Sequence, residues 1–236
     1  MFDHVEIHVS DPAASRAFYG EALGLPTFDG ELVEWGDFGT VPVDEEHPLT
    51  RNLHIAFGVE SRDDVDAWWN RLTEAGYESD GEPGPRPQYS ASYYGAFVLD
   101  PDGNSVEEVH HDRSRAREID HLWLRTEDVA AAKRFYETVA PAVGIHLVHQ
   151  SPDRIRFTDG TGSFSFVAGE PTEHVHLAFG VPDFAAVSRF HELATAAGYA
   201  DNGAPGERPQ YHPGYYGAFV LDANGHNVEA VFHDRS

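Results

Sequence analysis

Arg86 to Ser114 reads RPQYSASYYGAFVLDPDGNSVEEVHHDRS, and Arg208 to Ser236 reads RPQYHPGYYGAFVLDANGHNVEAVFHDRS. The opening arginines stand 122 positions apart, as do Glu107 and Glu229. At the same spacing NLHIAFGV (Asn52 to Val59) falls on HVHLAFGV (His174 to Val181), which pairs His54 with His176. Further upstream, FDHVEIHVSDPAASRAFY and EIDHLWLRTEDVAAAKRFY align at a spacing of 117 and bring His4 onto His121. A period this long describes a whole domain and not a solenoid repeat. The charged run Asp112 to Glu118 is the expected linker, giving domains at 1–114 and 115–236.

Within each half the pattern predicts strand, helix, strands, and then the same again. HVEIHV alternates with period two, and Asp11-Pro12 supplies an N-cap followed by proline at the first helical position. Asp128 takes the cap role in the second half, where Ala132, Phe135, Tyr136 and Val139 mark one apolar helix face. A second helix starts near Ser61, with Val65, Trp68, Leu72 and Ala75 inward and Gly76 as its stop. Val187, Phe190, Ala194, Ala197 and Gly198 repeat that plan. The Gly/Pro-rich SDGEPGPRPQY reads as a loop, followed by a hairpin turning at DPDGN or DANGH. The fold class is therefore α+β, with four βαβββ modules, two in each half.

Composition restricts the function. The 236-residue chain is 41% hydrophobic and 12% aromatic, a globular composition. Its formal charge of −24 repels phosphate, which argues against nucleic acid and anionic membranes as partners and suits a hydrated acidic surface. There is no cysteine for a disulfide, thiolate site or nucleophile, and Lys133 is the sole lysine. No apolar run approaches a membrane span and no basic-then-apolar leader opens the chain, so the expected location is the cytoplasm.

Strand alternation directs the chemistry. Val5, Ile7 and Val9 belong to the core face of the first strand, which turns His4, Glu6 and His8 to the other side. Likewise His54 with Ala56 and Gly58 faces away from Leu53, Ile55 and Phe57, and Glu229 faces away from Val228 and Ala230. Each half thus offers two histidines and a glutamate from three strands. Two imidazoles and one carboxylate suit Fe(II), Mn(II), Ni(II) or Zn(II), with coordination positions left open for substrate.

DHVEIHVSDPAASRAFY, LHIAFGV and YGAFVLDPDGNSVE, each with its counterpart, resemble the vicinal oxygen chelate superfamily of glyoxalase I, bleomycin-resistance proteins, thiol transferases and extradiol dioxygenases. The resemblance covers essentially the whole chain twice and implies two cupped open barrels. It carries the family's metal ligands onto His4, His54 and Glu107, and onto His121, His176 and Glu229. It also implies a metal that polarises vicinal oxygens of a small-molecule substrate. Glyoxalase I typically adds a glutamate on the fourth strand of the first module. GTVPV and SFSFV lack one, with Glu45, Glu46 and Glu170 in the loops beyond. The dioxygenase signature usually has tyrosine where Phe97 and Phe219 stand, and an upstream histidine that His212 supplies in the second half and Ser90 replaces in the first. Tyr93 and Tyr215, with Tyr94 and Tyr216, offer other hydroxyls.

Around the ligands, His8 is a candidate proton shuttle in the first cup, and Trp123 and Arg125 are candidate substrate contacts in the second. Arg86 and Tyr89, and Arg208 and Tyr211, are candidate lid residues. Dioxygenase-like chemistry is the first reading. The alternatives are an oxygen-independent lyase, isomerase or transferase, and a non-catalytic binding protein. Each triad closes either within one half, as in extradiol dioxygenases, or between halves, as in swapped glyoxalase-like dimers. The second arrangement is favoured and would make the chain a monomeric pseudo-dimer; a homodimer is the other expectation.

Overall fold

The computed structural model describes residues 1–45, 47–115 and 118–234, so Glu46 and part of the expected linker lie outside the described residues. Sixteen strands and four helices are described. Two compact units emerge, and neither is a simple sequence half: one is the contiguous Ile7–Leu124, the other combines Met1–Glu6 with Arg125–Ser236. The boundary falls inside β1 (Phe2–Val9) and β9 (Ile119–Thr126).

The contiguous unit contains α1 (Pro12–Leu23), the short strands β2 (Phe28–Asp29), β3 (Val33–Trp35) and β4 (Phe38–Pro42), then β5 (His54–Gly58), α2 (Arg62–Glu74), β6 (Ser79–Pro85), β7 (Tyr94–Leu99) and β8 (Ser105–His110). Five of its strands run in the order β9-β5-β8-β7-β6, and β4-β3-β2 are antiparallel neighbours. β5 pairs in parallel with β8 and antiparallel with β9. The split unit contains α3 (Val129–Val143), β10 (His146–Gln150), β11 (Arg154–Thr158), β12 (Ser163–Ala168), β13 (Val175–Gly180), α4 (Phe184–Ala196), β14 (Asp201–Glu207), β15 (Tyr215–Leu221) and β16 (Asn227–His233). Here five strands run in the order β14-β15-β16-β13-β1, again with a parallel pair, β13 with β16, and β10-β11-β12 are antiparallel neighbours.

Capping side chains start the helices. Asp11 accepts from the amides of Ala13 and Ala14, Ser61 from Asp64, Asp128 from Ala131 and Asp183 from Ala186. α2 and α4 end one residue earlier than their apolar spacing suggests. Ala75 and Ala197 are exposed C-caps, and Gly76 and Gly198 follow at φ 97° and 91°. Aromatic side chains build each core: Phe18, Tyr19, Trp35, Phe38 and Phe57 in the contiguous unit, and Phe135, Tyr136, Phe157, Phe164 and Phe166 in the split unit. Tyr19 and Tyr136 donate to Asp100 and Asp222 at 2.9 and 3.1 Å. Those aspartates also accept amide bonds from their own DPDGN and DANGH turns, which ties each turn to a core helix.

The Gly/Pro-rich runs are only partly loops: RPQY is turn in both, but the residues before it are strand. They form β6 and β14, each antiparallel to the next strand with register shifts between Ser79 and Gly84 and between Asp201 and Gly206. Both are terminal in their strand orders, where proline's missing donor need not face a partner.

Candidate metal centre

In the contiguous unit the register of β8, β5 and β9 sets the site. Glu107 and His121 are the neighbours of Ala56 on either side, while Ser105 and Trp123 flank His54 in the adjacent row. All six positions share one face. Alanine between two larger ligand-type residues leaves space for their side chains to converge. His54 Nε2 lies 3.1 Å and His121 Nε2 3.5 Å from Glu107 Oε2. The split unit repeats the arrangement, with Glu229 beside Ala178. His4 Nε2 lies 3.1 Å from His176 Nε2 and 3.7 Å from Glu229 Oε2, and His176 Nε2 lies 3.2 Å from the same oxygen. The six ligand-type residues therefore assemble as His4 with His176 and Glu229, and His121 with His54 and Glu107.

Both glutamates are buried, at 1% and 0% exposure. Their second oxygens accept hydrogen bonds from Tyr93 and Tyr215, each 2.8 Å long. These phenols hold the carboxylates, and burial beside the glutamate raises their own pKa far above the ordinary range. Glycine makes room for this geometry. A Cβ on Gly95 would stand 2.2 Å from Glu107 Oε1, and one on Gly217 2.3 Å from Glu229 Oε1. Ala56, Tyr93 and Val109 form an apolar floor in one site, and Ala178, Tyr215 and Val231 in the other.

The tautomer is set from behind. Asp3 Oδ1 lies 2.9 Å from His4 Nδ1, and Asp120 Oδ1 lies 2.8 Å from His121 Nδ1. Placing the ring proton on Nδ1 leaves the Nε2 lone pair directed at the cluster. Burial opposes charge on both rings, but the bond to the aspartate and the nearby carboxylates outweigh it and raise each pKa to about 9. Each aspartate reaches a further histidine. His111 Nε2 is 2.9 Å from Asp120, and His233 Nε2 is 2.9 Å from Asp3. His212 adds another link in the split unit, 2.9 Å from His233 Nδ1.

The remaining sequence candidates take varied positions. Trp123 lies 6.2 Å, ring to ring, from His54 and 5.8 Å from Tyr89. Arg86 covers Phe97 and donates to the Glu82 carbonyl; Arg208 covers Phe219 and donates to the Ala204 carbonyl. Since Phe97 and Phe219 abut His54 and His176, both arginines brace a wall of the site. Tyr211 is exposed and packs on Tyr215. His8 belongs to the contiguous unit, unlike His4, and its Nδ1 is 2.8 Å from the Pro48 carbonyl. Arg125 is exposed and belongs to the split unit, unlike His121. Asp3, Asp120, His111, Gly95 and Gly217 escaped the sequence reading, while strand alternation put His233 on the same face as Glu229. The Asp-His dipeptide at both 3–4 and 120–121 was the available signal.

A divalent ion fits these residues. In each cluster two imidazole nitrogens face one buried carboxylate oxygen. Ligand atoms about 2.1 Å from a shared metal lie roughly 3.0 Å apart at right angles and about 3.4 Å at tetrahedral angles. The separations in both sites lie close to these values. If the phenols act by fixing the carboxylates, Tyr93→Phe should weaken metal binding in the contiguous unit about tenfold and leave the split-unit site unchanged. Titration against a chromogenic chelator measures both.

Comparison with known proteins agrees with the repeat and the fold. The profile described as Glyoxalase/Bleomycin resistance protein/Dioxygenase superfamily matches residues 1–107 and 118–230. The crystal structure of glyoxalase I from Zea mays superposes with a TM-score of 0.68 at 19% identity, covering 98% of this chain and 92% of that one. A putative dioxygenase from Bacillus subtilis gives 0.69 at 14% identity, covering 100% and 86%. No curated protein matches significantly. The two matched segments account for nearly all of the sequence: the chain belongs to the Glyoxalase/Bleomycin resistance protein/Dioxygenase superfamily, as two tandem copies.

Proposed function

We propose that the chain is a metal-dependent enzyme in which each His-His-Glu cluster holds one divalent first-row ion and acts on a small oxygenated substrate. The observation that carries this reading is the convergence of two imidazole nitrogens and a buried carboxylate oxygen, twice, on separation distances a single ion satisfies. When bound, the ion supplies Lewis acidity toward vicinal substrate oxygens. The chain's residues do the rest. Tyr93 and Tyr215 fix the carboxylates, Asp3 and Asp120 orient the imidazoles, and the apolar floors keep water from the side opposite the substrate.

Two reactions are compatible with such a site: dioxygenase-like cleavage, and oxygen-independent lyase, isomerase or transferase chemistry. Closure of each cluster between sequence halves favours the second, because it matches the swapped glyoxalase-like pairing. The Tyr93 and Tyr215 hydroxyls favour it as well, since they are committed to the glutamates. Intact clusters in both units argue against a purely sequestering role.

The test loads the full chain with Fe(II), Mn(II), Ni(II) or Zn(II) and counts bound ions, expecting two per chain. Vicinal-diol and α-oxo carbonyl substrates are then screened with an oxygen electrode in the cell. Turnover without oxygen uptake supports the favoured reaction, and stoichiometric uptake supports the dioxygenase. Failure to bind any of the four metals would overturn the enzyme reading.

A further inference from the structure

The two clusters differ at one position beside the first histidine. Glu6 lies two residues beyond His4 on β1, and the repeat spacing places Trp123 at the matching position beyond His121 on β9. Strand periodicity turns both toward the ligand face of their own units. Glu6 Oε1 is 3.9 Å from His4 Nε2, and its side chain is only 21% exposed. That one separation lies below the roughly 4.2 Å limit for two donors on one ion with bonds near 2.1 Å. The compact cluster itself is His4, His176 and Glu229, so the Glu6 side chain must swing inward to join it. Trp123 offers no oxygen. Its ring and that of Tyr89 instead form an apolar wall beside His54.

Resting on the metal reading above, we propose that Glu6 is a fourth protein donor in the split unit, so that the two sites bind metal unequally. A second carboxylate neutralises a dication fully, whereas Glu107 alone leaves a net positive charge. The split-unit site therefore holds its ion more tightly and has fewer positions to exchange. The contiguous-unit site keeps three protein donors and an open side next to Trp123.

The test isolates each site in the full chain. Glu107→Gln weakens the contiguous-unit site, and Mn(II) or Zn(II) affinity at the remaining one is measured by chelator competition. Adding Glu6→Gln in that background should lower affinity about 100-fold and change the Co(II) visible spectrum, which reports coordination number. Glu6→Trp, which copies the other repeat, should give the same loss. In a Glu229→Gln background, Glu6→Gln should change nothing, and Trp123→Glu should tighten the contiguous-unit site. Affinity and Co(II) spectrum unchanged by Glu6→Gln in the Glu107→Gln background would overturn the fourth-donor role alone. No metal at all in the Glu107→Gln protein would sink the metal reading of the split unit.

Discussion

Gly95→Ala is expected to lower metal affinity in the contiguous unit by about 100-fold or more, while the split unit continues to bind. The added methyl would stand 2.2 Å from Glu107 Oε1, and the backbone on which it sits is a paired strand. The carboxylate is the part that must move. In moving it gives up the Tyr93 hydrogen bond and its alignment with His54 and His121. Loss of a buried hydrogen bond costs about 1–3 kcal/mol, so the fold should survive. Gly217→Ala should reproduce the effect at Glu229, where the approach is 2.3 Å. Metal titration of each variant beside its apo melting temperature separates the two contributions. Full affinity in Gly95→Ala would mean that the carboxylate position is not what holds the site.

Glu108→Gln is expected to stabilise the protein at alkaline pH by on the order of 4 kcal/mol. Glu108 follows the cluster glutamate and faces the opposite way, with Phe57 and Ala96 as its strand neighbours. Burial raises its pKa to about 8, with Arg71 offsetting part of the shift and Asp64 adding to it. The sign follows from proton binding. Between the ordinary carboxylate range and pH 8 the folded chain holds a proton that the unfolded chain has lost, so stability falls as pH rises and levels off above 8. Below pH 4 both states are protonated and this contribution vanishes. Denaturant unfolding from pH 5 to 9 should show a wild-type-minus-variant difference that grows by about 1.4 kcal/mol per pH unit up to pH 8. A difference independent of pH would show that Glu108 titrates normally. The matching position in the second repeat is Ala230, fully buried, which shows what an apolar residue does there without the linkage.

Much of this was legible in the sequence because periodicity and caps are local signals. Val5, Ile7 and Val9 are almost fully buried, as their alternation requires, and Ala132, Phe135, Tyr136 and Val139 line the buried face of α3. The cluster residues were legible for the same reason, each being a polar position inside an apolar strand. β6 and β14 were not, because glycine and proline lower strand propensity and only the edge position tolerates them. The aspartates behind His4 and His121 were hidden by the rule that revealed the histidines. Alternation assigns Asp3 and Asp120 to the other face, yet a short carboxylate reaches the near nitrogen of the ring beside it. Strand pattern likewise could not choose between closure within a half and closure across halves, since that depends on which strand lies next to β5 and β13.

The divided composition of one unit has a consequence for biosynthesis. Domains generally fold as the chain emerges, at about 5–20 residues per second. Ile7–Leu124 is uninterrupted, so all its strands are available once β9 has emerged. Met1–Glu6 has no such option: its cluster partners His176 and Glu229 are made only after the contiguous unit. The lag between completing one unit and completing the other is on the order of 5–20 s. Through that interval the segment carrying His4 lacks both of its cluster partners. A segment made before the contiguous unit must wait for residues made after it.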